Sequence, residues 1–421
     1  MTPVQSFPKT DAEVIIIGAG PAGTIAAFEL AKQGISVLIL EKAIFPRYKV
    51  CGAGLTHKIL CEIPFDLSPV FETTINTICF STGLKEVFTR TSPDPIIYCS
   101  MREKLDAFLL SQAVAAGARV IHGVHAQDVK QSINQVEVIT RTGSYRSKLL
   151  IGADGASSMV ARVSGLRDNL LPGLAWEAEI KTNSDAINRF SNTVFLDWGS
   201  FPGGYGWVFP KKDHFSVGVG GPAHLSKWMM LYYQQFMNYF MDGLQNFSSS
   251  IPHYETSSLK SWPIPVRVKK SRFINDKVVV VGDAGGLTDP LTGEGIYYAI
   301  RSGKLAAEAC SDYLQGKSSK MDQYSLSVNE ALMTELLEAN RIRYLFNTVP
   351  GKIHHFVRDS DRAWRAFGKV LRGERWYADV RRGFGKWRIL WGTACRISKQ
   401  ISDRKERKFL RNGKIRTITS S

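Results

Sequence analysis

The sequence predicts an α/β fold, α+β over the whole chain. In it a Rossmann-like dinucleotide-binding domain carries an inserted β-rich domain and ends in a helical region. Three observations carry this reading. An apolar run, Val14 to Ile17, leads straight into Gly18-Ala19-Gly20-Pro21-Ala22-Gly23. Two later runs end in similar turns, at Gly152-Ala153-Asp154-Gly155 and at Gly282-Asp283-Ala284-Gly285-Gly286. Between those two turns the chain becomes rich in aromatics and glycines, from Trp176 through Phe190, Phe195, Trp198 and Phe201. The pattern assigns 1–60, 97–170 and 271–315 to a discontinuous dinucleotide domain. It assigns 61–96 and 171–270 to a substrate domain, and 316–421 to a helical region with a basic tail.

The first element is a buried strand, because four β-branched residues in a row suit a parallel sheet covered on both faces. A helical pattern follows through Ile25, Ala26, Leu30 and Ala31 and closes at Gly34. A second strand, Ser36 to Leu40, ends at Glu41-Lys42, so an acid stands 23 residues after Gly18. Strand, glycine turn, helix, strand and acid in this order form a dinucleotide-binding unit. Gly18 permits the tight turn. Gly20 lets backbone N–H groups approach a pyrophosphate, and Gly23 lets helix and strand pack closely. The helix N-terminus adds partial positive charge. Glu41 can accept hydrogen bonds from ribose hydroxyls. This unit alone does not separate FAD from NAD.

The second and third glycine turns each set an Asp beside glycine. Either one alone could be a tight turn capped by its carboxylate. With a flavin bound, Asp283 is placed for a ribityl hydroxyl. The Gly293–Gly295 turn would bring the helix starting at Ile296 to the pyrimidine edge, where its dipole favours the reduced form. Gly218-x-Gly220-Gly221 is followed by Pro222 and has no matching strand with a terminal acid. It reads as a sheet turn, which leaves one dinucleotide domain.

The chain resembles FAD-dependent oxidoreductases of the aromatic-hydroxylase type, and within them the geranylgeranyl reductase family. The residues that carry the resemblance are GAGPAG at 18–23, Glu41-Lys42, FPRYKVCGAGL at 45–55, Arg102 with Asp106, GADGASS at 152–158 and GDAGGLTDPLTGEGIYYAIRSG at 282–303. It implies a glutathione-reductase-type FAD domain. It implies FAD contacts at Gly23, Glu41, Cys51, Gly52, Gly54, Arg102, Asp283, Gly295 and Ile296, and at Ala126 by loop position; Gly18, Gly20, Ala22, Lys42, Arg47, Asp154 and Gly293 complete the candidate cofactor-binding set. The electron donor implied is NADPH or a reduced ferredoxin. The activity implied is reduction of isoprenoid double bonds by hydride from reduced flavin.

Strand alternation puts Tyr205, Trp207 and Phe209 on one face. An aromatic stripe is often plain core, but this one resembles the Y-x-W-x-F-P string of geranylgeranyl reductases, where it implies the wall of a prenyl tunnel. Cys51, in the loop at the flavin edge, is the candidate catalytic residue, as proton donor or as packing against the ring. Arg47 and Lys49 would meet phosphates or form a solvated loop. No Ser-His-Asp set, carboxylate pair or metal cluster is apparent, which suits cofactor-driven chemistry. A flavin hydroxylase or halogenase, or a flavoprotein without turnover, remains open beside the reductase.

Hydrophobic residues make up 44% and charged residues 22%, as in a folded globular chain rather than a disordered one. The net charge of +16 is localised. Residues 351–421 hold 20 Lys+Arg and 6 Asp+Glu, a net of +14, and residues 1–350 a net of +2. Phe384, Trp387, Trp391, Ala394, Cys395 and Ile401 recur at helical spacing among Lys386, Arg388, Arg396 and Lys399, and Arg404 to Arg416 is mostly basic. Residues 384–421 thus read as an amphipathic Trp helix with a polybasic tail at an anionic membrane surface, or as a helix packed on the body. A near-neutral body with no recognition module argues against nucleic acid. The six cysteines lack C-x-x-C pairing and suit reduced thiols in the cytoplasm. No run is long enough to span a membrane.

Overall fold

The computed structural model describes residues 10–245, 254–383 and 388–412. Its first sheet has the strand order Ile274–Asn275, Val278–Val280, Gly143–Gly152, Ala12–Ile17, Val37–Glu41, Arg119–His122. Ala12–Ile17 lies at the centre and pairs in parallel with both neighbours. Val14, Ile15 and Ile16 have no exposed surface, as a strand covered on both faces requires. Strands Ala126–Gln131 and Val136–Thr140 extend this sheet as an antiparallel hairpin on Gly143–Gly152. Helices Pro21–Ala31 and Ile296–Leu314 pack against each other with almost no space between backbones. A Cβ at Gly303 would stand 2.4 Å from the Ala22 carbonyl oxygen.

The second sheet runs Glu255–Thr256, Leu170–Lys181, His214–Pro222, Tyr205–Pro210, Thr193–Trp198, Thr77–Thr82, Lys85–Thr91, with Lys260–Arg267 also on Leu170–Lys181. It is antiparallel except where Thr193–Trp198 meets Thr77–Thr82. One face buries Ala178, Ile180, Val208 and Val217 under helix Ser226–Gln245, against Met229, Tyr232 and Phe236. The opposite face carries Glu177, Glu179, Trp207 and Ser216 toward the first sheet. A small third sheet, Gly54–Thr56, Ile97–Ser100, Phe71–Ile75, lies between the two.

The expected turn at Gly218 to Gly221 is instead part of strand His214–Pro222. The glycines make room for an aromatic neighbour. A Cβ at Gly218 would stand 2.3 Å from the Trp207 ring, and one at Gly220 3.1 Å from it.

The C-terminal region is docked on this body. Helices Pro350–Asp359 and Asp361–Leu371 close over Phe80, which is fully buried among Trp198, Trp364 and Phe367. Helix Arg388–Asn412 buries Cys395, Ser398 and Ser402. Thr348 Oγ1 donates to the Ser398 carbonyl at 3.0 Å, and Phe409 meets Trp228 edge-on at 5.3 Å. The side read as a membrane-facing stripe is therefore in part packed against protein. Lys386, Phe384, Trp387 and the tail beyond Asn412 lie outside the described residues.

Phe80→Ala is expected to lower stability by about 3–5 kcal/mol, the usual cost of emptying a large aromatic site. Thermal denaturation should show the loss. Limited proteolysis should show earlier cutting between residues 350 and 371.

Candidate active site

The first strand ends at Gly18, whose φ of +103° and contact with Ala153 leave no room for a side chain; a Cβ would stand 2.3 Å from Ala153 O. Helix Pro21–Ala31 begins without any side-chain cap, so its first N–H groups face the cavity. Gly20 is different from Gly18 and Gly23. Its φ of −75° is ordinary extended backbone, and a Cβ there would meet only Arg47 Nη2, at 4.0 Å. The protein thus leaves space over Gly20 that it does not fill. Gly23 does not line the cavity; a Cβ there would stand 2.0 Å from Gly18 O, so its role is helix–turn packing.

Glu41 is buried and accepts from Ala19 N at 2.6 Å and Ala43 N at 2.8 Å. Its carboxylate ties the glycine turn to the second strand while lining the cavity beside Lys42. Ala22 and Ala126 line the same cavity, the latter at the start of its strand.

Arg102 holds Asp106 through two bonds, Nε to Oδ1 at 2.8 Å and Nη2 to Oδ2 at 2.7 Å. Arg47 Nη2 shares the same carboxylate at 2.9 Å. Burial works against the Arg102 charge, but Asp106 and the Cys51 thiol hold its pKa above the usual value. Arg47 Nη1 is buried with no hydrogen-bond partner. An unpaired cationic donor beside open backbone and a helix N-terminus suits a phosphate oxygen. The residues present therefore fit a dinucleotide pyrophosphate. Lys49 stands with its Nζ 4.7 Å over the Trp262 ring. Burial, then Arg102, push its pKa down. Neither Arg47 nor Lys49 belongs to a fully solvated loop.

The two Asp-glycine turns prove unlike. Asp154 caps its own helix, accepting from Ser158 Oγ at 2.6 Å, Met159 N at 2.7 Å and Val160 N at 3.1 Å. It lines the cavity with its carboxylate already engaged. Asp283 has one weak side-chain neighbour, Thr288 Oγ1 at 3.4 Å, and faces the cavity. Gly293, at φ +71°, and Gly295 carry the chain past Asp283 into the helix at Ile296. A site the sequence reading missed braces this loop. Lys58 Nζ pairs with Glu294 at 2.5 Å under the Tyr297 ring, and Thr56 donates to the same carboxylate.

One cavity of about 1420 Å³ joins these parts. It contains every expected cofactor and substrate position except Gly23. The aromatic strand crosses it. Tyr205 donates to the Thr292 carbonyl of the Asp289–Gly295 loop. Trp207 Nε1 donates to Glu177 Oε2 at 3.2 Å. Phe209 packs on the other loop, where a Cβ at Gly52 or Gly54 would stand 2.7 Å from its ring. Cys51 is half-buried between them, and its thiol accepts from Ala53 N at 3.4 Å. Beyond the strand the walls turn apolar, with Phe80, Val194, Leu196, Trp198, Phe367 and Leu371.

The structure corrects the expectation that no carboxylate pair exists. Glu177 and Glu179 stand two residues apart on one strand and so share a face. Glu177 accepts from Cys51 N at 2.8 Å as well as from Trp207. Burial, then Glu179, raise its pKa to about 7. Burial also disfavours the Glu179 charge, but His214 and Ser216 hold its pKa below the usual value. Lys211, fully buried, donates to Gly52 O at 2.6 Å and Ser100 O at 2.8 Å and supplies nearby positive charge. The signal for the pair was in Trp176-Glu177-Ala178-Glu179-Ile180, two acids alternating with apolar residues on a strand.

Comparisons with known proteins give the family and the fold. The FAD binding domain family matches residues 11–59 and 72–333. The chloroplastic geranylgeranyl diphosphate reductase of Nicotiana tabacum is 31% identical over 326 residues, covering 72% of this chain and 68% of that protein. Digeranylgeranylglycerophospholipid reductase 1 of Methanopyrus kandleri is 29% identical, covering 72% of this chain and 81% of that one. A geranylgeranyl bacteriochlorophyll reductase-like protein of Thermoplasma acidophilum superposes with a TM-score of 0.72 at 24% identity, over 85% of this chain and 96% of that one. A flavin-dependent brominase superposes at 0.69 with 22% identity, over 89% and 98%; at this identity the likeness is one of fold.

Two glycine substitutions separate ligand space from packing space. Gly20→Val should fold with nearly unchanged thermal stability but bind FAD at least about tenfold more weakly, read as flavin absorbance per protein after gel filtration. Gly23→Val should fail to give folded protein, because its neighbour is rigid backbone. A flavin-replete Gly20→Val protein would contradict the assignment.

Proposed function

From the premise that the chain belongs to the geranylgeranyl reductase family of FAD-dependent oxidoreductases, we propose that it reduces carbon–carbon double bonds of a prenyl lipid. The observation that carries this reading is one continuous cavity, which runs from the dinucleotide cradle past Cys51 to an apolar wall. Reduced FAD held in this cradle would supply a hydride to one alkene carbon, and the other carbon would take a proton. The electrons come from NADPH docked transiently at the cavity or from a reduced ferredoxin-like carrier, since one dinucleotide cradle serves the cofactor.

The chain's own groups then have defined tasks. The helix N-terminus at Pro21, Gly20 and Arg47 hold the pyrophosphate. Asp283 takes a ribityl hydroxyl, and Glu41 keeps the glycine turn closed while facing the ribose. The helix beginning at Ile296 turns its positive end toward the ring edge. Tyr205, Trp207 and Phe209 form the wall that orients the alkene and excludes water. Cys51 stands where it can give a proton to the substrate.

The basic end of the chain serves as an electrostatic contact with an anionic lipid surface, where a prenyl lipid is found. With Cys395 and Ser398 packed inward, this contact rests chiefly on charge. Co-sedimentation with phosphatidylserine vesicles should therefore be clear at about 0.1 M salt and lost near ~1 M. Salt-insensitive binding, or none at low salt, would remove this part of the reading.

The reductase is tested by reducing the purified yellow protein without oxygen and adding geranylgeranyl diphosphate, a geranylgeranyl phospholipid or a prenyl quinone. Reoxidation with loss of substrate double bonds is expected for at least one of them. Cys51→Ala should keep its FAD and slow that step by about 10²-fold or more. Reoxidation only by molecular oxygen would favour a hydroxylase or halogenase, and no turnover with either would favour a binding flavoprotein.

A further inference from the structure

Each double bond reduced at this site consumes one proton, and the site is closed by an apolar wall. The residues around Glu177 suggest how that proton arrives. Glu177 has no exposed surface and stands directly behind Cys51, bonded to its N–H. Glu179 follows on the same face. The hydroxyl of Tyr48, three residues before Cys51, donates to Glu179 Oε1 at 3.3 Å. Ser216 Oγ donates to Glu179 Oε2 at 2.6 Å, and His214 Nε2 lies 3.1 Å from that oxygen. The other ring nitrogen of His214 lies 2.7 Å from Asp213 Oδ1, and the Asp213 side chain is 74% exposed. Ionisable groups therefore reach from the surface to Glu179, and Glu177, its neighbour on the same strand face, holds the back of the loop that carries Cys51.

We propose that Glu177 is the internal proton store of the reaction, and that Asp213, His214, Glu179 and Tyr48 refill it from solvent. This rests on the reductase reading above. In the step proposed, the S–H bond of Cys51 breaks as a C–H bond forms on the alkene carbon that did not take the hydride. The thiolate left behind takes the Glu177 proton, and the Glu177 carboxylate is reprotonated along the line from His214. Two electrons leave the reduced flavin, and one proton enters from water for each double bond. Glu177 acts through Cys51 and is a positioning and proton-holding residue.

The charges that face this line suit the task. Burial and then Glu179 keep the Glu177 proton bound near neutrality, while Lys211, the Cys51 N–H and Trp207 limit the rise. Burial opposes a charge on His214, but Glu179 and Asp213 raise its pKa and so favour its protonated form. Burial, then Glu179, then Glu177 raise the Tyr48 hydroxyl, which therefore stays protonated, with Lys260 Nζ 4.0 Å over its ring. Tyr233, on the helix behind the sheet, is likewise raised by burial and then by the two carboxylates. Two like groups with environments that separate their pKa values form an acid and a base side by side.

The test uses the FAD-loaded protein reduced with dithionite and mixed anaerobically with geranylgeranyl diphosphate, from about pH 6 to about pH 9. Wild-type reoxidation should fall as pH rises through about 7, where Glu177 loses its proton. Glu177→Gln should keep FAD content, spectrum and reduction by dithionite, slow reoxidation about 10²-fold, and flatten that pH dependence. Glu177→Asp should recover most of the rate and the pH dependence. A Glu177→Gln protein with wild-type rate and profile would overturn the proposal while leaving the reductase intact. Wild-type protein that no prenyl probe reoxidises would overturn both. If Glu177→Gln does not retain FAD, His214→Gln decides. This change lies at the outer end of the line and should slow reoxidation several-fold with FAD retained. An unchanged rate and pH profile there would overturn the proposal.

Discussion

The site depends on one carboxylate that accepts two hydrogen bonds from two different parts of the chain. Glu177 takes the N–H of Cys51 on one oxygen and the indole N–H of Trp207 on the other. The first bond anchors the loop that carries Cys51. The second fixes the aromatic strand that forms the opposite wall. Because Glu177 is buried, each donor it leaves unpaired would also be costly, so loop and strand are held together. Around this point Lys211 ties Gly52 to Ser100, and Phe209 rests on Gly52 and Gly54. The dinucleotide unit and the second sheet are joined here by polar bonds beneath an apolar cavity.

Charge is arranged at two levels. Inside, ions come in compensated groups: Arg47 and Arg102 on Asp106, Lys58 on Glu294, Lys211 beside Glu177 and Glu179. Within this arrangement Arg47 Nη1 is left buried without a hydrogen-bond partner. Outside, the surplus sits in the last part of the chain. Packing of Cys395, Ser398 and Ser402 turns the helix Arg388–Asn412 into part of the body. A bulk excess of basic residues is thus a local one in the chain.

The same fold serves reductases and halogenases, and the brominase likeness shows how little the backbone alone says about chemistry. Here the cavity wall is aromatic near Cys51 and aliphatic beyond, with helices from the C-terminal region closing its far side. The lid of the cavity therefore comes from a stretch of chain that the FAD binding domain match, ending at residue 333, does not cover.

Local rules were enough for much of this. The run Val14 to Ile17, the glycines at 18, 20 and 23, and Glu41 declare a strand, a turn and an acid through steric and hydrogen-bonding needs that act over a few residues. The alternation of Tyr205, Trp207 and Phe209 likewise follows from strand geometry. Tertiary structure decided what required distant partners. Gly218 and Gly220 read as a turn because glycine favours turns; the Trp207 ring lying across them made them strand. Asp154 and Asp283 look alike in sequence, and only the position of Ser158 and the helix beside it engages one carboxylate and leaves the other facing the cavity. Glu177 and Glu179 merely alternate with apolar residues in the sequence; burial and His214 set their protons apart. Local sequence determined where the cofactor cradle lies. Long-range packing determined which ionisable groups were taken out of water together, and that desolvation is what gives them chemistry.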